Sequence, residues 1–308
     1  MDIKLIGPLY MGWVLGANDT ANIFGTAVSS YMVKYKTAVM LTAIFVILGA
    51  YTAGKEGVKT LADLTSQTEK SAFIISLAAA LTTTLMLLLK LPSSTSQAVV
   101  GAIAGIGIIN GHIETSGFSK ILICWLTTPL AAGFIAFMLY YLLAGIFKKI
   151  PMHFLLYDRL MRNFIILSGI YGAYTLGANN VANVSGVFYK SGILNMNNAL
   201  LIGGVSIALG ALTYSKKMMF TVGKSIISMD AFTSFVAVTA HSIAIHIYSK
   251  IGVPVSSSQA IVGALMGIGM LKGIKTVSAK NISKIFAGWF FTPVVGMFFC
   301  LLLHFISW

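Results

Sequence analysis

Long apolar stretches alternate with short polar connections along this chain of 308 residues. A helix needs about 20 predominantly apolar residues to cross the hydrocarbon core of a bilayer. Ten stretches approach that length, at roughly 5–30, 37–54, 71–90, 92–111, 119–147, 163–189, 197–215, 230–250, 253–271 and 283–307. The pattern therefore predicts an all-α polytopic membrane protein embedded in a lipid bilayer.

The second half of the chain repeats motifs of the first half in the same order. Residues 16–22 read G-A-N-D-T-A-N and recur at 177–183 as G-A-N-N-V-A-N, 161 positions later. Residues 94–101 read S-T-S-Q-A-V-V-G and recur at 256–263 as S-S-S-Q-A-I-V-G, 162 positions later. Repetition at a nearly constant displacement indicates an internal duplication.

The duplication divides the chain into a first repeat at 1–150, a linker at 151–162 and a second repeat at 163–308. Each repeat holds about five transmembrane segments. Because five is odd, the two repeats enter the membrane from opposite sides and form inverted repeats, a common architecture of secondary transporters.

The charges agree with a membrane protein and help to orient it. Hydrophobic residues make up 57% of the chain and charged residues 9%, with a net charge of +13. The basic residues are scattered singly or in pairs at the ends of apolar runs, so we expect no nucleic-acid partner. Loops 148–162 and 272–284 carry four basic residues each, whereas 112–120, the counterpart of the second loop, carries only Lys120. This difference predicts that the two loops are cytoplasmic and that both termini are extracellular in the cell (plasma) membrane.

The G-A-N-D motif brings polar side chains into an apolar segment. Asn and Asp compete with the helical backbone for hydrogen bonds, so we expect the helix to open locally at 16–22 and at 177–183. Of the eight acidic residues, only Asp19 lies deep in a span. A carboxylate inside the membrane is a candidate functional site.

The second pair of polar breaks consists of a proline followed by hydroxyl residues. Pro92 precedes the run at 93–97, and Pro254 precedes the run at 256–259. Proline ends the preceding helix, and Ser or Thr then caps the N-terminus of a new one. A half-helix N-terminus within the membrane offers free N–H groups and the positive end of the helix dipole. Two such termini, brought together by the inverted symmetry, are expected to hold one tetrahedral oxyanion.

These paired motifs resemble the inorganic phosphate transporter (PiT) family of ion-coupled anion permeases. Its signature is similar to the G-A-N-D-T-A-N-I-F-G-T of residues 16–26, and the resemblance covers nearly the whole chain. The resemblance implies an inverted-repeat membrane fold, a homodimer, an inorganic anion as substrate and a coupling cation. The chain differs in having Asn180 where the family has a second Asp, and Gln97 and Gln259 where phosphate carriers have His. Both departures resemble the sulfate permease branch.

The residues and the resemblance together predict the site. The expected substrate-binding residues are Asn18, Ser94, Thr95, Ser96, Gln97, Asn179, Ser256, Ser257, Ser258 and Gln259. The expected coupling-ion residues are Asp19, Asn22, Asn180 and Asn183, with a Na⁺ site at Asp19, Asn22 and Asn183 as one form of that coupling.

The predicted function is a symporter of a tetrahedral oxyanion. Sulfate is favoured over phosphate, because sulfate carries no proton near neutral pH and needs only hydrogen-bond donors. Sodium-coupled phosphate transport and an uncoupled anion channel remain alternatives. We expect the protein to have no enzymatic activity and no cofactor beyond the coupling ion, H⁺ or Na⁺, because the sequence shows no nucleophile–base pair or metal cluster. His241 and His246, five positions apart, do not share a helical face and do not suggest a metal site.

Overall fold

The computed structural model describes residues 5–89, 93–150, 153–225, 230–272 and 279–306. Within these ranges the chain consists of helices joined by short turns, without a strand. The helices are α1 (Ile6–Asp19), α2 (Ala21–Ser29), α3 (Tyr35–Ala53), α4 (Lys55–Ala62), α5 (Glu69–Leu88), α6 (Thr95–Ile109), α7 (Thr115–Lys149), α8 (Phe154–Lys190), α9 (Met196–Ser225), α10 (Ala231–Ile251), α11 (Ser257–Lys272) and α12 (Ala279–Ile306). The expected all-α fold is confirmed.

Six helices in the described part of the chain are long and apolar enough to cross a membrane. They are Tyr35–Ala53, Glu69–Leu88, Thr115–Lys149, Met196–Phe220, Ala231–Ile251 and Ile285–Ile306. The outer helices α7 and α12 expose large apolar side chains; Leu126 is 74% exposed and Phe290 71%. Apolar surfaces of this kind are favourable in contact with lipid and unfavourable in contact with water. The chain is a multi-pass membrane protein.

The duplication in the sequence has a counterpart in the order of the helices. In the second half, the long helix α8 takes the place of α1 and α2, and α9 takes the place of α3 and α4. Helices α10, α11 and α12 then correspond to α5, α6 and α7. The predicted linker at 151–162 is mostly helical, since α8 begins at Phe154; residues 151–152 lie outside the described ranges.

The two halves pack on one another reciprocally. Helix α1 packs on α9, and its counterpart α8 packs on α3. In the same way, α6 packs on α12 and α11 packs on α7. Each half thus buries its helices mainly against the other half.

Two glycines show the same reciprocity at the level of single residues. A Cβ at Gly16 in α1 would collide with the backbone carbonyl of Ile207 in α9, and one at Gly177 in α8 would collide with that of Val46 in α3. Ile207 follows Val46 by 161 positions, as Gly177 follows Gly16. Only glycine permits so close a backbone approach, which explains why both copies of the motif begin with it.

Candidate functional site

The hydroxyl runs begin helices, as expected. Helix α6 starts at Thr95, and the Ser94 hydroxyl caps it by accepting a hydrogen bond of 3.3 Å from the backbone N–H of Gln97. Helix α11 starts at Ser257, and the Ser256 hydroxyl accepts a hydrogen bond of 3.2 Å from the backbone N–H of Gln259. The backbone at 93–94 and 253–256 is not helical. Pro92 lies outside the described residues.

Both helices are too short to cross a membrane alone. Helix α6 has 15 residues and α11 has 16, so each is about 22–24 Å long, less than the roughly 30 Å of a hydrocarbon core. Their first residues are buried, with Ser96 at 0% exposure and Gln97 and Gln259 at 5% each. The two N-termini therefore open into the interior of the protein.

Two equivalent hydrogen bonds join these N-termini. The Ser96 hydroxyl donates to the carbonyl oxygen of Val255 at 3.0 Å, and the Ser258 hydroxyl donates to that of Ser93 at 3.1 Å. Ser258 and Val255 each follow their counterpart by 162 positions. Both bonds run between the halves, so the two hydroxyl runs form one continuous site. A further contact of 3.0 Å joins the Ser256 and Ser258 hydroxyls.

The first G-A-N-D motif supplies a buried carboxylate. Asp19, the last residue of α1, is 2% exposed. One carboxylate oxygen accepts a hydrogen bond of 2.8 Å from the Asn18 amide, and the other accepts one of 3.0 Å from the Thr95 hydroxyl. The helix is interrupted after Asp19, where the Thr20 hydroxyl bonds back to the Gly16 carbonyl. The expected opening occurs here, as a short break between α1 and α2.

The second copy of the motif does not open. Helix α8 runs without interruption through residues 177–183, so the expected break there is wrong. The physical reason is that the asparagines find partners outside their own backbone. Asn179 donates to the Val255 carbonyl at 2.8 Å and accepts from the Val255 amide at 2.9 Å. Asn183 donates to the Ser96 hydroxyl and to Asn180, both at 2.8 Å. Side chains bonded in this way do not compete with the helix.

Asparagines from each half reach the hydroxyl run of the other half. Asn183 of α8 bonds Ser96, and Asn22 of α2 donates to the Ser257 hydroxyl at 3.2 Å. The structure thus links most of the residues expected at the site through hydrogen bonds at the starts of α6 and α11, whereas the side chains of Gln97 and Gln259 form no hydrogen bond with the others within the described residues.

A residue that sequence reasoning set aside also belongs to this network. His241 of α10 is fully buried, and its Nε2 lies 2.9 Å from the Ser257 hydroxyl oxygen. Its sequence neighbours are apolar or small, and only the packing of α10 on α11 brings it to the site. His246, five positions later, pairs instead with the Tyr171 hydroxyl of α8.

Several buried polar atoms of the network have no hydrogen-bond partner within the described chain. They are Ser93 Oγ, Gln97 Oε1, Asn180 Nδ2, Asn183 Oδ1, His241 Nδ1 and Gln259 Oε1. Leaving a buried polar group unpaired costs about 1–3 kcal/mol. Their concentration at the two hydroxyl runs is what a polar ligand site requires. Donors and acceptors are both present, which fits an anion bound together with a cation or a proton.

The ligands available for a metal ion are few. In the described ranges, no group of three or more His, Cys, Asp or Glu side chains lies close enough to share one. The residues expected around Na⁺ are Asp19, Asn22 and Asn183, which bond to Thr95, Ser257 and Ser96 respectively. They offer one carboxylate and neutral amide oxygens, the oxygen ligands that suit a hard cation.

Comparison with known proteins agrees with this architecture. The model of the phosphate transporter family matches residues 15–300. The chain belongs to the phosphate transporter family. Among its relatives, a candidate phosphate permease of Methanocaldococcus jannaschii is 32% identical over 96% of this chain and 94% of its own length. The sulfate permease CysP of Bacillus subtilis is 29% identical over 94% of this chain and 83% of its own length.

A solved structure has the same fold. The chain superimposes on the sodium-dependent phosphate transporter with a TM-score of 0.88 and 21% sequence identity, over 99% of this chain and 98% of the other. The likeness thus extends over nearly the full length of both chains.

Proposed function

We propose that the protein is a secondary-active symporter that carries a tetrahedral inorganic oxyanion across the cell membrane, with sulfate favoured over phosphate. The observation that carries the proposal is the pair of half-helix N-termini joined by Ser96 and Ser258 and surrounded by unpartnered polar atoms. Backbone N–H groups and hydroxyls at two helix N-termini form an anion site without a Lys or Arg at membrane depth.

The proposed topology follows from the reciprocal packing of the halves. The repeats 1–150 and 163–308 are related by a two-fold axis in the membrane plane, as in other transporters built from inverted repeats. Loops 148–162 and 272–284 are cytoplasmic and both termini are extracellular, in accordance with the positive-inside rule. The site then lies near the axis, where either half can expose it to one side.

Asp19 provides the coupling. A carboxylate buried in the membrane without a cationic partner needs a proton or a bound cation. The Thr95 hydroxyl has one hydrogen, and an ionised Asp19 accepts it. When Asp19 is protonated it donates to Thr95, and the Thr95 hydrogen becomes free for an anion. Proton binding thus strengthens anion binding, and by linkage the anion strengthens proton binding.

Sulfate fits the asymmetry of the site better than phosphate. Near neutral pH phosphate retains a proton and needs an acceptor, whereas sulfate needs donors only. The second copy of the motif has Asn180 in place of a second carboxylate, and its Nδ2 is a donor without a partner among the described residues. The relative from Bacillus subtilis is named a sulfate permease, which supports the same choice.

Sodium-coupled phosphate transport is the second candidate. The solved structure is of a protein titled a sodium-dependent phosphate transporter, and the relative from Methanocaldococcus jannaschii is named for phosphate. In this alternative Na⁺ binds between Asp19, Asn22 and Asn183.

Under either candidate, helices α7 and α12 face lipid or a second copy of the chain. The transporter acts as a homodimer without enzymatic activity.

Uptake into proteoliposomes tests the proposal. Labelled sulfate and labelled phosphate are supplied in separate assays, with a proton gradient or a Na⁺ gradient imposed alone. We expect sulfate uptake that a proton gradient accelerates and that excess unlabelled sulfate inhibits more strongly than phosphate. Phosphate uptake driven only by Na⁺ would establish the second candidate. Saturable sulfate flux that neither gradient accelerates would indicate an uncoupled channel.

A further inference from the structure

Two titratable side chains hold the two equivalent hydroxyls of the site. Thr95 bonds Asp19 in the first half, and Ser257 contacts His241 in the second half. Thr95 and Ser257 are 162 positions apart and begin the equivalent helices α6 and α11. The proposed function uses the first pair. The second pair has a role of its own.

The hydrogen atoms at Ser257 decide what that residue offers to a ligand. Its hydroxyl has one hydrogen and two lone pairs, and one lone pair accepts from the Asn22 amide. If the neutral ring of His241 carries its hydrogen on Nδ1, Nε2 accepts the hydrogen of Ser257, and Ser257 has none left for an anion. If Nε2 carries a hydrogen, Ser257 accepts from both Asn22 and His241, and its own hydrogen is free.

The second nitrogen of the ring is available for a proton. His241 is fully buried, and its Nδ1 has no partner among the described residues. A histidine with only a packing role usually bonds both ring nitrogens when it is buried. A protonated ring carries hydrogens on both nitrogens, so it always donates to Ser257 and places a positive charge beside the anion.

We propose that His241 is a positioning residue that takes up a proton together with the oxyanion and, by donating from Nε2 to Ser257, directs the Ser257 hydroxyl to the anion. This inference rests on the proposed function, because it concerns the same anion. It adds a second proton-binding group to Asp19, one in each half of the molecule.

No other charged group among the described neighbours of α10 takes the place of a protonated His241. Helix α10 packs against α2, α4, α7, α8 and α11. The charged and titratable groups that these helices bring to it lie at its two ends and beside His246. They are Glu56 and Lys59 near Gly252, Lys120 on the Ile251 carbonyl, Tyr171 and Tyr174 beside His246, Tyr140 on Phe232, and Lys272 and Tyr157 near Asp230. Asp230 and Ile251 lie at the two ends of α10, about 15 Å along the helix from His241. Helix α2 has no titratable residue.

The pH dependence of sulfate binding tests the proposal. Sulfate does not change its charge between about pH 5 and 8, the range in which histidine titrates, so any change of affinity comes from the protein. Labelled sulfate is bound to the purified full-length protein, as wild type, Asp19→Asn and Asp19→Asn/His241→Gln. In Asp19→Asn we expect affinity to fall about tenfold or more as pH rises through this range, which corresponds to about 1.4 kcal/mol.

His241→Gln separates titration from packing. Glutamine keeps a donor for Ser257 but binds no proton, so we expect the double variant to bind sulfate with the same affinity at every pH. His246→Gln in the Asp19→Asn background is the matched control, and it should keep the pH dependence. A pH-independent affinity in Asp19→Asn alone would overturn the proposal, as would an unchanged pH dependence in the double variant.

A measurement on the wild type keeps the test independent of how the variants fold. Calorimetric titration with sulfate in buffers of different ionisation enthalpy counts the protons taken up per anion. We expect more than one proton per sulfate, and uptake of one or fewer would overturn the role of His241. A wild type that binds neither sulfate nor phosphate at any pH would instead contradict the proposed function.

Discussion

The starts of α6 and α11 have the same backbone arrangement and different chemistry. Ser96 and Ser258 make equivalent bonds across the interface between the halves. The neighbouring hydroxyls differ: Thr95 donates to a carboxylate, whereas Ser257 meets an amide and an imidazole.

The sequence accounts for this asymmetry at two positions. The second half has Asn180 where the first has Asp19, and the first half has Ala79 at the position 162 residues before His241. The same displacement relates the N-cap residues Thr68 and Asp230 of the helices that carry Ala79 and His241. In the proposed mechanism, the two halves share the positions of the anion-binding groups and differ in the group that binds a proton.

Removal of the first of these groups should have the largest effect. Asp19→Asn keeps the size of the side chain and a hydrogen-bonding partner for Thr95, but it binds no proton and offers a cation no negative charge. We expect gradient-driven sulfate uptake to fall sharply while the protein remains folded, and the remaining uptake to depend on the proton that His241 takes up. The assay is proteoliposome uptake with and without a proton or Na⁺ gradient.

Asp158→Asn is the matched control for this variant. Asp158 forms an exposed ion pair with Arg162 at 3.4 Å, far from the site in sequence, and its loss should leave uptake unchanged. Uptake by Asp19→Asn/His241→Gln that an imposed gradient still accelerates would show that a further residue couples the ion.

A second acid should make the two halves more alike. Asn180→Asp keeps an acceptor for Asn183, which donates to Asn180 at 2.8 Å, but replaces the unpartnered Nδ2 with an anionic oxygen. We expect sulfate affinity at neutral pH to fall at least about tenfold, or 1.4 kcal/mol, because two carboxylates then face the anion.

Low pH or added Na⁺ should restore this affinity, since either neutralises the added charge. Equilibrium binding of labelled sulfate across pH and Na⁺ concentration measures the effect. Asn198→Asp, an exposed position in the first turn of α9, is the control. An Asn180→Asp protein that binds sulfate like the wild type would place the anion away from this residue.

Removal of either hydroxyl should have a smaller effect. Thr95→Ala and Ser257→Ala should each weaken sulfate binding by roughly 1–3 kcal/mol, because a charged ligand loses a donor. Ser185→Ala removes a buried hydroxyl that bonds only its own helix, through the Val181 carbonyl at 2.9 Å, and should leave binding unchanged. Unchanged affinity in both site variants would mean that the anion binds elsewhere.

The sequence predicted the parts of the site that depend on local chemistry. A proline followed by Ser and Thr specifies a helix start almost independently of context, so the beginnings of α6 and α11 were predictable. The duplication also indicated that two such starts lie together, which the bond from Ser96 to the Val255 carbonyl confirms.

The parts that depend on long-range packing were not predictable. Residues 177–183 stay helical because Asn179 bonds the backbone of Val255, 76 positions away. His241 stands in an apolar helix, and only the contact of α10 with α11 brings it to Ser257. A fully buried histidine with one unpaired nitrogen is a signal that a structure provides and a sequence does not.

Substitutions at the equivalent N-caps of α5 and α10 should have the smallest effects, and these concern stability. Thr68 caps α5 in a reciprocal pair with Ser71. Asp230 caps α10 by accepting a hydrogen bond of 2.7 Å from the backbone N–H of Thr233, and it also forms an ion pair with Lys272. Thr68→Ala should destabilise the protein by about 1 kcal/mol. Asp230→Asn keeps the cap and loses only a pair whose Asp side chain is 57% exposed, so it should cost less than about 1 kcal/mol.

The pH dependence of stability distinguishes the two caps. Burial opposes ionisation of Asp230, but the bonds from Lys272 and Thr233 outweigh it and hold the pKa of this carboxyl below its ordinary value. A lowered pKa in the folded state stabilises the protein above the unfolded pKa of about 3.9, and this contribution is lost as the pH falls through the folded value. Thermal unfolding in detergent at neutral and acid pH measures it. The difference in stability between wild type and Asp230→Asn should shrink on acidification, whereas that between wild type and Thr68→Ala should not change. A pH-independent effect of Asp230→Asn would show that Asp230 acts only as a neutral cap.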